Sequence, residues 1–120
     1  MTFPRSLTQR EREVLAAMIE RGERDDDTPH PQDTAERDAW LAQVDGALAY
    51  ATCGCTECPS IELGDASGPA PDAEPSVVLS ASTDSAAVML FIDAGRLSYL
   101  ELAPLDEPVL DFPPVAELSF

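Results

Sequence analysis

A chain of 120 residues with 44% hydrophobic content has the length of one domain with a real core. No apolar run approaches the ~20 residues that cross a bilayer. Its 23 carboxylates face seven basic residues, all arginine, for a net charge of −16, which turns away nucleic acid and anionic membranes and makes any charged partner a basic protein.

The excess is uneven. Residues 1–38 hold six arginines and ten carboxylates, whereas residues 39–120 hold Arg96 alone against thirteen. The opening Met1-Thr2-Phe3-Pro4-Arg5-Ser6 lacks the apolar core of a secretory signal, and three cysteines, an odd number, fit a reducing compartment. The expected location is the cytoplasm. Nothing in the sequence sets an oligomeric state.

The first predicted element is a helix over about 8–21. Thr8-Gln9-Arg10-Glu11 has capping-box spacing, Val14, Leu15, Met18 and Ile19 follow at helical period, and Gly22 is read as a left-handed stop. Residues 22–32 read as a loop, with three consecutive aspartates and Pro29-His30-Pro31. A second helix is expected over about 33–45, turning Ala35, Ala39, Trp40, Leu41 and Val44 inward.

The period then changes to that of strands, and the sheet region is expected over about 47–110. Ala47 to Cys53, Ser60 to Leu63, Ser76 to Ser82, Ala86 to Ile92 and Leu97 to Leu102 are predicted strands, with an edge strand near Val109-Leu110. Val88 to Ile92, apolar on both sides, reads as a central strand covered on both faces. Asp93-Ala94-Gly95-Arg96 reads as a hairpin loop with Gly95 at positive φ. Gly64 to Pro75 is a small, polar, proline-broken connection. The tail, 103–120, is also proline-broken, yet Phe112, Leu118 and Phe120 call for cover, by its own domain or by a partner. The expected fold is a single α+β domain, two N-terminal helices on one face of a mainly antiparallel sheet of four to six short strands.

Chemistry concentrates at Cys53-Gly54-Cys55-Thr56-Glu57-Cys58-Pro59, which holds all three cysteines. Cys53 and Cys55 share a face of an extended segment, and a turn brings Cys58 round to them. Three thiolates at about 2.3 Å from a zinc ion would leave one position, for which His30, the sole histidine, is the natural candidate, with Glu57, water or a second subunit as substitutes. Cys55-Thr56-Glu57-Cys58 also has thiol-oxidoreductase spacing, but a proline and a strand follow it where that chemistry wants a helix N-terminus, and the acidic setting raises a thiol's pKa. A third reading is a compact turn of small, half-buried side chains.

Two resemblances accompany these motifs. Leu7-Thr8-Gln9-Arg10-Glu11-Arg12-Glu13-Val14-Leu15 resembles the opening helix of LuxR-type helix-turn-helix domains. No basic recognition helix follows, so DNA binding is not implied. Cys53 to Ser60, followed by Asp93-Ala94-Gly95-Arg96-Leu97-Ser98-Tyr99-Leu100-Glu101, resembles small uncharacterised actinobacterial proteins that pair a CGCG-x-CPS turn with a DG-x-L-S-x-L-E hairpin. Thr56 stands where a second glycine is common. That resemblance implies the hairpin and no activity.

Absent parts narrow the chemistry. Without lysine there is no P-loop lysine or Schiff base, and no G-x-S-x-G or G-x-G-x-x-G turn occurs. Among the carboxylates no acid/base pair stands out, and Trp40, Tyr50, Phe91, Tyr99, Phe112 and Phe120 read as core or half-core. The functional expectation is a non-enzymatic acidic interaction module for a basic protein, in the manner of inhibitors and immunity proteins. A small zinc protein using Cys53, Cys55, Cys58 and His30 is the alternative, and a thiol redox protein comes third.

Overall fold

The computed structural model describes residues 3–25, 33–52, 59–71, 73, 76–109 and 111–120. They form an α+β domain: strand β1 (Arg5–Ser6), helix α1 (Gln9–Arg21), β2 (Glu23–Arg24), α2 (Asp33–Leu41), β3 (Leu48–Thr52), β4 (Ile61–Asp65), β5 (Gly68–Pro69), β6 (Ser76–Ser82), β7 (Ala86–Asp93) and β8 (Arg96–Pro104). The described strands join one antiparallel sheet in the order β1-β3-β4-β8-β7-β6-β2, with β5 beside β4.

That is eight strands where four to six were expected. Five have five to nine residues and three have only two. Two residues carry no readable period, so β1, β2 and β5 were invisible in the sequence, and β2 lies within the segment read as loop. They exist because longer strands offer them a ladder: Arg5 and Ser6 pair with Ala49 and Leu48, Glu23 and Arg24 with Ser80 and Leu79.

Since β1 and β2 sit at opposite edges and α1 joins them, α1 crosses the breadth of the sheet. Thirteen residues of helix rise about 20 Å, and six inter-strand spacings span about 29 Å. The links at Leu7-Thr8 and Gly22 make up the difference. Thr8 caps α1 as predicted: its hydroxyl accepts from the Glu11 amide at 3.1 Å, and Glu11 accepts from the Thr8 amide at 2.8 Å. Val14, Leu15, Met18 and Ile19 are buried against the sheet, where α1 packs on β6 and β7.

Gly22 is not a left-handed stop. Its φ is −57° and ψ 141°. What excludes a side chain is space, because a Cβ there would lie 2.4 Å from the Met18 carbonyl oxygen and 2.9 Å from the Leu79 Cβ.

The second helix ends at Leu41 rather than near 45, and a 3₁₀ turn at Val44–Gly46 follows. The Gln43 side chain donates to the Gly95 carbonyl at 2.8 Å and accepts from the Leu97 amide at 3.2 Å, which holds this bend against the start of β8. Trp40 and Val44 are buried and Leu41 half-buried, but Ala35 and Ala39, expected to turn inward, are exposed, because the helix rests on α1 along the Trp40 side alone. The helix packs on α1, fastened by arginines. Arg24 binds Asp33 at 2.8 Å and Glu36 at 3.2 Å, and Arg37 donates to the Ile19 and Gly22 carbonyls.

The C-terminal segment packs on its own domain. Phe112 and Leu118 are buried, Arg10 donates to the Phe112 carbonyl at 3.0 Å, and Ser119 bridges Ser82 beyond the end of β2. Val109 is in no strand, and Leu110 lies outside the described residues. Among the described residues no helix is long and apolar enough to cross a membrane.

Candidate functional site

The cysteine turn, Cys53, Cys55 and Cys58, and His30 lie outside the described residues. Among the described residues no group of three or more His, Cys, Asp or Glu side chains is gathered as a metal would require. The site that the described fold assembles is elsewhere, on the sheet face opposite α1.

On that face the strand registers place side chains in rows. One row runs Ala51, Glu62, Tyr99, Phe91, Val78 across β3, β4, β8, β7 and β6. The next runs Glu101, Met89, Ser80 across β8, β7 and β6. The alternate residues, Leu79, Val88, Leu90, Leu100, Leu102 and Ile61, are buried in the core. So β7 is central as expected, but among the described residues a helix packs on one of its faces only, and on the other Ala87, Met89 and Phe91 are half-buried.

A bulge makes this arrangement possible. Phe91 pairs with Tyr99 but Ile92 pairs with Leu97, so Ser98 is the extra residue. Without it, strict alternation would put Leu97 on the same face as Tyr99 and Glu101, and one apolar side chain would leave the core. The bulge lets Leu97 point inward while Tyr99 points outward.

Phe91 and Tyr99 then meet edge to face, their centroids 6.1 Å apart and their planes at 69°. Glu62 lies directly opposite Tyr99, and Glu101 lies two residues along β8, the diagonal neighbour of Glu62. Asp93, at the end of β7, is 9% exposed and accepts from the Ser76 hydroxyl at 2.6 Å. Pro69 and Ala70 form the far wall. Gly64 allows this wall to close, because a Cβ there would lie 2.4 Å from the Gly68 carbonyl and 2.7 Å from the Pro69 Cα. The groove, open to solvent, has a volume of about 490 Å³.

The electrostatics of the groove are one-sided. Glu62, Asp93 and Glu101 line it with no basic side chain among its lining residues. Arg96, the sole basic residue of the sheet half and the register partner of Asp93, is not in that lining and is engaged by Asp65 at 3.1 Å and by the Gly68 carbonyl. Hydrogen bonds from the Ser67 hydroxyl and amide, reinforced by Arg96, hold the Asp65 carboxyl below the usual range. Glu62 and Glu101, on diagonal sheet positions, set two like charges on one side of the groove.

These residues escaped the sequence reading. Phe91 and Tyr99 read as core, and no carboxylate pair stood out. A partial signal was present: Glu62 and Glu101 each stand between core aliphatics, as outward-facing strand residues do. Their adjacency depends on β4 docking against β8, a pairing between strands far apart in sequence.

No protein-family model, curated protein or solved structure matches this chain.

Proposed function

We propose that this chain is an acidic, non-enzymatic interaction module that seats a basic protein on the face of the sheet left uncovered by the helices. The observation that carries the reading is the groove itself, an aromatic pair bordered by three carboxylates without a basic residue in its lining. An apolar centre with a charged rim is the anatomy of a protein interface. The net charge of −16 supplies long-range steering toward a cationic partner. The expected role is that of an inhibitor or immunity protein, which occupies its partner rather than transforming it.

The test is affinity capture from an extract of the source organism, with captured proteins identified, using three forms of the protein. These are wild type, the isosteric E62Q/E101Q variant, and D106N/E107Q, which makes the same charge change at two exposed residues outside the groove. Wild type and D106N/E107Q should retain the same basic protein and release it as salt shortens the Debye length from about 10 Å to about 3 Å. E62Q/E101Q should retain far less. Equal retention by all three would make the capture a consequence of overall charge and end the proposal.

A second reading, a small zinc protein, is favoured by one observation. Thr52 and Ile61 are partners in the β3–β4 ladder, so Cys53, Cys55 and Cys58 share one short connection between paired strand ends, with His30 the candidate fourth ligand. Zinc there would be held by thiolates and would stabilise the fold. Cys55→Ser should then lose metal and stability together, and a melting curve unmoved by a chelator would refute it.

A further inference from the structure

The fold repeatedly sets an arginine on an aromatic ring, twice beside a carboxylate. Arg24 lies 5.4 Å from the Trp40 ring centroid and binds Asp33 and Glu36. Arg5 lies 5.9 Å from the Phe3 ring and forks onto both oxygens of Glu11, at 2.8 and 2.9 Å. Arg21 lies 4.6 Å from the Phe120 ring. The groove on the uncovered face has the same parts, an aromatic pair with Glu62 opposite and Glu101 diagonal, but no arginine in its lining.

The chain has no described cation to put there. Lysine is absent. Arg5, Arg24, Arg37 and Arg96 are engaged with Glu11, with Asp33 and Glu36, with Asp33, and with Asp65. Arg10 holds the Phe112 carbonyl and Arg21 covers Phe120. Arg12 is on the exposed side of α1, which packs on the opposite face of the sheet. The cation must come from another molecule.

We infer that the groove takes an arginine side chain of the partner, its guanidinium against the Phe91–Tyr99 pair and its N–H groups donating to Glu62 and Glu101. This rests on the reading above, that the uncovered face docks a basic protein. Arginine fits where lysine does not. A planar, weakly hydrated guanidinium stacks on a ring while its fork reaches carboxylates to the side, whereas an ammonium is a strongly hydrated point charge. Carboxylates on two different strands, diagonal to each other, suit a fork rather than a point.

The probes are tetra-arginine and tetra-lysine peptides, equal in charge, titrated at one ionic strength and followed by amide NMR shifts. The protein forms are wild type, E62Q/E101Q and Tyr99→Leu, the last checked for unchanged melting. Tetra-arginine should bind wild type roughly fivefold tighter than tetra-lysine or better. Its shifts should centre on residues 62, 89, 91, 99 and 101, and Tyr99→Leu should erase the preference while both peptides still bind. Equal affinities, with shifts centred on the groove, would overturn the arginine inference and leave the docking face standing. Shifts centred elsewhere, binding indifferent to E62Q/E101Q, or no binding of either peptide would overturn both.

Discussion

Replacing Gly22 by alanine separates two reasons for a glycine at the end of α1. Its backbone, φ −57° and ψ 141°, is one that alanine adopts freely. With open space around it, Gly22→Ala would stabilise the protein by about 0.4–1 kcal/mol through the unfolded chain. The space is not open. The new Cβ would sit 2.4 Å from the Met18 carbonyl oxygen and 2.9 Å from the Leu79 Cβ, which belongs to a fully buried side chain on β6. Helix end and sheet must separate, at an overpacking cost of about 1–3 kcal/mol. That movement stretches the 2.8 Å bond from the Gly22 amide to Met18 and the 3.0 Å bond from Arg37 to the Gly22 carbonyl, adding about 1 kcal/mol. Set against the gain through the unfolded chain, a net loss of about 1–4 kcal/mol follows, a large part of the ~5–15 kcal/mol typical of a domain. Urea unfolding followed by circular dichroism would read it as a lower midpoint at unchanged slope, with the melting temperature down by roughly 10 °C. Asparagine sharpens the test. A left-handed position tolerates Asn better than Ala, whereas a crowded one tolerates it no better. A neutral or stabilising Gly22→Ala, or a Gly22→Asn more stable than Gly22→Ala, would refute the close-approach argument.

Three other perturbations test separate parts of the fold. Ser60 is buried, and its hydroxyl accepts from the Leu102 amide at 2.9 Å where the β4–β8 ladder runs out; Ser60→Ala should cost about 1–3 kcal/mol in urea unfolding by orphaning that amide, and a loss under about 0.5 kcal/mol would contradict it. Burial pushes the Glu11 carboxyl up, but the Arg5 fork and the Thr8 amide and hydroxyl outweigh it and hold the group below its ordinary value of 4.5. Its contribution is therefore complete above that ordinary value and lost as pH falls through the folded value, so Glu11→Gln should be less stable at neutral pH yet lose less on acidification from about pH 5 to about pH 3; parallel stability–pH curves would show that Glu11 plays no part. Ala94 holds φ 50° beside Gly95 at 80°, a two-residue hairpin turn that favours Asn at its first position. Ala94→Asn should raise stability by about 0.5–1 kcal/mol, and an unchanged or lower denaturation midpoint would count against that turn.

Much of this protein is determined by short-range pattern. Thr8 and Glu11 declare the start of α1 because a capping box is closed within four residues, and Val14, Leu15, Met18 and Ile19 declare its buried side because helical period is local. The three long strands β6, β7 and β8 are legible for the same reason, as is the turn at Ala94-Gly95. Composition alone sets the acidic character, a net charge of −16. Only the tertiary structure decides the rest. Strands of two residues form because a neighbour completes their hydrogen bonds, and α2 is shaped by Arg24, Arg37 and Gln43 reaching partners elsewhere in the chain. The groove depends on this most. Glu62 becomes the neighbour of Tyr99 through the docking of β4 on β8, and Tyr99 faces Phe91 through the bulge at Ser98. A site built from long-range register leaves no period in the sequence, because its residues become neighbours only when the sheet closes.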